Sequence, residues 1–296
     1  MNILVRSVAA LVALMVASRS YAAELIVPTQ YPTIQAAINA AVSGDIITVR
    51  QGIYNERLDI GGRNITLRSL LGPTATIIDP QGVGGVVVQS TNAAANGWVL
   101  QGFTIRNGLD SGLYVSGVTA TVRNCKFINN QASRGGGAHV RAGANVTFEG
   151  CEFRQNLANS GERKGGGLFC ESATARAVGS SFIANEARLP AGGYNGDWYQ
   201  RGGAVAGVSA NITLEDCTSA SNQAVMEWVN SGCQSFTTFW CFGGFGSVEG
   251  GSLVVKRHNS TSDRALVRII DQGGYCNDRT SFGAVSYTHL TLPTKA

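Results

Sequence analysis

Charge is scarce in this sequence. Asp, Glu, Lys and Arg make up 14% of its 296 residues, with 23 basic against 19 acidic side chains. Arg6, Arg19 and Lys295 lie in terminal stretches that hold no acid, and setting them aside leaves 20 bases against 19 acids. A balance that near zero gives no reason to expect nucleic acid or an anionic membrane as a partner. Proline is equally rare: the 6 prolines beside 38 glycines, with no Gly-X-Y period, exclude a collagen-like chain and a Pro-rich disordered one. Histidine occurs only 3 times, and the Cys and His residues show no metal-ligand spacing. No metal or other cofactor is therefore expected. Past the first residues no stretch is apolar enough to span a bilayer as a helix, so the mature part is expected to have no transmembrane segment.

What the chain has instead is a core's worth of apolar residues, 44%, interleaved with Gly, Asn, Thr and Val. That mixture points to an all-β protein with frequent turns. Residues 1–23 read as a signal peptide: Arg6 supplies the positive start, Val8 to Ala17 the apolar stretch, and Ser20-Tyr21-Ala22 the small residues before cleavage. Export to the cell surface or the medium, with a bacterial outer membrane or extracellular setting, is the expected localisation. Residues 285–296 hold no Gly, match no repeat and resemble translated adapter DNA, so they are expected to be a non-native tail on a truncated chain. The segment between, 24–284, is expected to form one solenoid, loop-rich from about residue 225.

Helical periodicity appears once. Ile34, Ala37, Ile38 and Ala41 recur at helical spacing between Pro32 and Gly44, which predicts a short amphipathic helix. Short β-branched runs follow at Ile46–Val49, Arg57–Ile60, Asn64–Leu67, Ala75–Ile78 and Val86–Val88, too close together for crossover helices.

Internal repetition decides the architecture. Asn124-Cys-Lys-Phe-Ile-Asn-Asn-Gln-Ala132 recurs as Gly150-Cys-Glu-Phe-Arg-Gln-Asn-Leu-Ala158 and as Gly179-Ser-Ser-Phe-Ile-Ala-Asn-Glu-Ala187, with a weaker copy at Asp216–Ala224. The register residues Ile105, Phe127, Phe153, Phe182 and Ser219 are 22, 26, 29 and 37 apart. Each unit leads to a glycine cluster and an alternating strand. A period near 22 with short strands is one coil of a parallel β-helix, and coils stack about 4.8 Å apart. The expected fold is thus an all-β, right-handed parallel β-helix solenoid with a short N-terminal capping helix. Phe127, Phe153 and Phe182 should form an interior aromatic stack, and Leu113, Ala138, Leu168 and Ala204 another interior row. Longer spacings, such as Leu189 to Gln200, should bulge out as loops.

The same register sorts the polar residues. Asn130, Asn156, Asn185 and Asn222 share one position and read as a structural amide ladder at a turn. Arg134, Lys164 and Arg201 precede three glycine clusters and could line up as a basic stripe able to bind an acidic glycan. Tyr114, His139 and Phe169 alternate with inward residues and should face outward as an aromatic row for sugars or partner proteins, unless the Leu189–Gln200 segment covers it. Cys125, Cys151 and Cys217 fit an interior stack. Cys233 and Cys241 are the favoured disulfide in an exported chain. Glu149 with Glu152 and Glu215 with Asp216 read as solvated carboxylates, and no catalytic residues are assigned.

These residues resemble two overlapping families. The helix followed by Val49-Arg-Gln-Gly-Ile-Tyr-Asn-Glu56 resembles the opening of pectin-lyase-like β-helix proteins. Phe127 with Asn130, Phe153 with Asn156 and Phe182 with Asn185, alternating with Gly136-Gly-Ala138 and Gly202-Gly-Ala-Val205, resemble the polymorphic outer-membrane proteins of chlamydiae. The second resemblance implies a secreted or cell-surface scaffold for binding and adhesion, a monomer that meets glycans or surface proteins. The first admits an alternative, a polysaccharide lyase or glycoside hydrolase acting on acidic glycans, although the Asn-Thr-Asp, Gly-His-Gly and Gln-Asp-Thr motifs of pectin-degrading enzymes are missing. A purely structural spacer is the third possibility.

Overall fold

The computed structural model describes residues 22–159, 164–189, 198–230, 239–242, 246–249, 252–257, 259–262, 264–271 and 282–285. The signal-like segment up to residue 21, Cys233, and residues 286–296 lie outside them.

Short β-rich segments separated by tight corners leave each strand unable to hydrogen-bond within its own coil, so every pairing runs between coils and is parallel. Three long sheets result. The first has nine strands, from Glu24–Val27 through Trp98–Gln101, Asn145–Glu149 and Thr174–Val178 to Ser252–Lys256. The second has eight, from Gly52–Tyr54 through Lys126–Ile128, Glu152–Arg154 and Ser181–Ile183 to Asn259–Thr261. The third has seven, from Leu58–Asp59 through Leu113–Ser116, Ala138–Arg141, Leu168–Glu171 and Val205–Val208 to Gly246–Glu249. One turn of chain visits the first, second and third sheets and returns to the first one strand further on.

Alternation on each strand sends one set of side chains inward. Ile105, Phe127, Phe153, Phe182 and Ser219 share one register column of the second sheet. The Phe127 and Phe153 rings stack with centroids 4.9 Å apart, as do those of Phe153 and Phe182. All three rings are fully buried. In the third sheet Leu113, Ala138 and Leu168 also stack, but their next neighbour is Val205 and not Ala204. The expected row is off by one there because Ala204 stands in for the third glycine of the preceding clusters, and both Ala204 and Val205 are buried.

The corners need left-handed backbone at fixed points. Asn124, Gly150, Gly179, Asp216 and Arg257 carry φ between +48° and +60° where the first sheet hands over to the second. Asn129, Gln155, Ala184, Ser221 and Ser262 repeat the conformation, with φ between +52° and +59°, just after the second sheet. Non-glycine residues hold this region at a cost of roughly 1 kcal/mol each, so the stacking of one corner on the next must over-determine it.

The solenoid's first coil is covered by the helix Ile34–Ala40, which buries Ile34, Ala37 and Ile38 against Glu24–Val27, Ile46–Val49 and Leu58–Asp59. Thr33 caps it through its side-chain oxygen, and Glu56 accepts hydrogen bonds from the Ile34 and Gln35 backbone N–H groups at 2.9 Å each. Asp45 joins the flanking segments by accepting from the Ala23 and Val42 amides. Among the strands that escape the hydrophobic patterning are Glu24–Val27 and Gly52–Tyr54, because three or four residues beside Pro28 or Gly52 carry too little periodicity.

The long repeats differ from a plain loop reading. Glu186–Leu189, Gln223–Asn230 and Arg264–Asp271 extend a fourth sheet of five strands, and Trp198–Arg201, Phe239–Phe242 and Phe282–Val285 form a fifth of three. Successive excursions leave the coil at equivalent places, so they hydrogen-bond to one another. Residues 190–197 lie outside the described part.

Candidate functional site

The amide ladder sits at the corner after the second sheet. Nδ2 of Asn130 donates to Oδ1 of Asn156, Asn156 to Asn185, and Asn185 to Asn222, at 2.9–3.0 Å. Nδ2 of each also donates to a backbone carbonyl, of Ile105, Phe127, Phe153 and Phe182 in turn. All four side chains are fully buried. They hold the corner and present nothing to a ligand.

The outer face of the third sheet is different. Tyr114, His139 and Phe169 occupy one register column, followed by Ala206. His139 meets Tyr114 edge-on at 5.3 Å and Phe169 at 5.1 Å between ring centroids. The row is covered, not an exposed platform, the second of the two outcomes that the sequence admits. Phe169 is fully buried and His139 is 8% exposed, while Tyr114 is half-buried. The chain enters each of these strands through a tight turn. Gly135 and Gly165 take φ of +62° and +63° and lie so close to the strands that a Cβ would fall 2.3 Å from the Ala138 carbonyl and 2.2 Å from the Leu168 carbonyl. The backbone thus turns sharply at Gly135 and Gly165 just before the strands that carry His139 and Phe169.

The basic residues Arg134 and Lys164 immediately precede those turns. Arg134 and Lys164 pair as a parallel bridge between successive coils. The Arg134 guanidinium lies 5.9 Å from the Phe169 ring centre and donates from Nη1 to Oε1 of Glu171 at 2.9 Å. Arg201, before the next glycine cluster, ends Trp198–Arg201, where its backbone partner is Phe242. Tyr114, His139, Phe169, Arg134 and Lys164 are brought together.

Two residues that the sequence reading did not single out complete the site. Glu171 and Arg141 end neighbouring strands and face each other in the sheet register. Nε of Arg141 is 3.9 Å from Oε2 of Glu171, and its Nη1 is 3.5 Å from the Tyr114 hydroxyl. A signal existed: the polar residue two past the aromatic row, Ser116, Arg141 and Glu171 in three successive units. Nε2 of His139 lies 3.8 Å from the same Oε2, and both atoms are buried without a hydrogen-bond partner. Burial, with Arg134 and Arg141 adding repulsion, pushes the His139 imidazole down to about 4, so it is neutral at pH 7. Two guanidiniums thus surround one carboxylate at a covered aromatic row, and Arg141, 44% exposed, forms its open rim.

Elsewhere the candidate acids are tied into surface ion pairs. Glu149 meets Arg123, Glu152 meets Lys126 and Arg154, and Glu215 and Asp216 share Arg257. Among the described residues no group of three His, Cys, Asp or Glu could hold a metal ion. Cys125, Cys151 and Cys217 are buried free thiols in one column, with Ser180 between, and Cys170 is a fourth buried free thiol in the third sheet. Cys233 lies outside the described residues, so its pairing with Cys241 stays an expectation.

A stack of parallel coils with a capped first turn and an interior amide ladder defines a parallel β-helix protein. The family model described as "Right handed beta helix region" matches residues 84–256, more than half of the chain, and the chain belongs to that family. No curated protein matches it. Among solved structures it is similar to the pectin methylesterase PemA of Erwinia chrysanthemi, at 14% identity over 86% of this chain and 94% of that one, with a TM-score of 0.48. It is also similar to pectin methylesterases of Aspergillus niger, at 14% identity over 91% and 92% and a TM-score of 0.43, and of carrot, at 11% over 86% and 89% and a TM-score of 0.41. At such identities the likeness concerns the course of the backbone.

Proposed function

We propose that this chain is an exported β-helix scaffold that binds an acidic glycan at the cell surface without turning it over. One observation carries the reading: on the outer face of the third sheet Arg134 and Arg141 face a single carboxylate, Glu171, with Arg141 open to solvent. Arg134 is held by Phe169 and Glu171, so little side-chain freedom is lost when an anion docks. Coil stacking sets Lys164 one step along from Arg134, in the direction a linear polyanion would follow. Such a surface attracts anionic polymers through electrostatics that salt weakens. The Phe-x-x-Asn and Gly-Gly-Ala resemblance supports adhesion as the setting.

The enzyme reading has its own support in the buried imidazole of His139 beside Glu171, a neutral base near a carboxylate. One experiment separates the alternatives. Purified protein is incubated with polygalacturonate, alginate and a sulfated glycan, and both retention and release of reducing or unsaturated ends are measured. Retention without product, reduced at least severalfold in an Arg134→Ala/Arg141→Ala variant, is the expected result. Product formation would make the chain a carbohydrate-active enzyme, and neither retention nor product would make it a spacer.

A further inference from the structure

We propose that His139 and Glu171 form an acid-operated latch: on taking up a proton the imidazole closes onto the Glu171 carboxylate, loosens that carboxylate's hold on Arg141 and strengthens polyanion binding. The latch rests on the binding surface proposed above and regulates it.

The geometry holds the pair one small movement short of contact. Nε2 of His139 and Oε2 of Glu171 are 3.8 Å apart, both shielded from solvent and both without a hydrogen-bond partner. An imidazolium N–H and a carboxylate meet at about 2.7–2.9 Å, so a shift of about 1 Å completes the bond. The carboxylate has one firm partner, Arg134, on Oε1. Its other oxygen only approaches Arg141, at 3.9 Å, and that looser contact is the one a charged His139 displaces.

The groups facing His139 set the direction. Tyr114 packs against it from the preceding strand, and Phe169 and Glu171 from the following one. Arg134 reaches it from the connection before its strand, with Lys164 beside Arg134 in the next coil, and Arg141 lies on its own strand. The cations and the covered site resist protonation, which keeps the latch open at neutral pH and reserves closure for acid conditions. Closure adds one positive charge to the patch and frees the Arg141 guanidinium. The proton comes from solvent and no covalent bond changes.

Dextran sulfate is the probe, because its charge is constant between pH 7 and pH 4. Its affinity is measured across that range for the parent, His139→Phe, which keeps a ring between Tyr114 and Phe169, and Glu171→Gln. Relative to His139→Phe, the parent should gain on the order of tenfold as pH falls, the effect of one charge within about 5 Å at a partly screened surface. Glu171→Gln should bind more tightly at pH 7 and lose the acid step. The imidazole of His139, followed by NMR in free protein, should titrate at lower pH in Glu171→Gln than in the parent. If the two titrate alike, or if parent and His139→Phe gain equally with acid, the latch is wrong. Absence of dextran sulfate binding by the parent at every pH overturns the binding reading, while the NMR titration still decides whether the two side chains are coupled. Should His139→Phe fail to fold, His139→Asn takes its place.

Discussion

Asn156 donates from Nδ2 to Oδ1 of Asn185 at 2.9 Å, while its own Oδ1 accepts from both the side chain and the backbone N–H of Asn130. Each amide in the column thus closes the corner of one coil and fastens it to the next. Replacing Asn156 by Leu strands the Asn130 amide and the Phe127 carbonyl inside the protein. An unsatisfied buried group costs about 1–3 kcal/mol, so the variant should lose about 3 kcal/mol or more in urea unfolding. An unchanged midpoint would remove the ladder from the list of stabilising features.

Phe153 has a ring on each side, which makes it the sharpest probe of coil stacking. Phe153→Ala should cost about 3–5 kcal/mol, with Phe153→Leu losing clearly less, since the cavity is smaller. Equal losses for the two variants would mean that volume in the stack does not matter.

Glycines differ by what lies opposite. A Cβ on Gly166 would fall 2.3 Å from the Glu186 carbonyl oxygen, against backbone that cannot yield. Gly143, at φ +78°, has nothing within 4 Å. Gly166→Ala should prevent stable folding, and Gly143→Ala should cost only the roughly 1 kcal/mol of left-handed strain. Circular dichroism melts of the two proteins compare them directly, and similar melting temperatures would contradict the close coil-to-coil approach.

The stability of the chain should carry a signature of His139. Its imidazole titrates at about 4 in the folded protein and near 6.5 when unfolded. The unfolded chain therefore binds the proton first as pH falls. The stability that goes with a neutral His139 is fully present above about pH 6.5 and is lost between there and about pH 4, to the extent of about 3 kcal/mol. His139→Phe should flatten that part of the pH profile of urea unfolding. A variant with the parental profile would show that the titration belongs to other groups.

Burial pushes the Cys125 and Cys170 thiols up to about 12 and raises Cys151 well above the usual thiol range. Only the thiolate reacts with alkylating agents. Peptide mapping after iodoacetamide treatment at pH 8 should find these three unlabelled in native protein and labelled after denaturation. Rapid native labelling would place them outside the core.

The repeat from Asn124 to Ala187 carried much of this architecture legibly. Its Phe, Asn and Cys positions recur with the strand alternation intact, so inward and outward faces could be assigned before any coordinates. The displacement of Ala204 by Val205 shows where that legibility ended. A glycine cluster counted by composition gave no sign that Ala204 occupies a glycine's place. Beyond residue 225 the runs Leu253–Val255 and Ala265–Ile270 read as strands and are strands, but that Ala265–Ile270 pairs with Gln223–Asn230 was not legible, because the partner lies a whole coil away and no local pattern reports that pairing.

The solenoid follows from the amino-acid pattern alone, because a short period of β-branched residues with corner residues at constant offsets can bury its apolar face only by piling coil on coil. That pattern also placed Tyr114, His139 and Phe169 in one column. Only the tertiary structure decided that the column is covered, that Arg134 reaches back over it, and that Glu171 and Arg141 join it. Those contacts depend on the tight turns at Gly135 and Gly165 and on the stacking of one coil on the next, which side-chain periodicity does not encode.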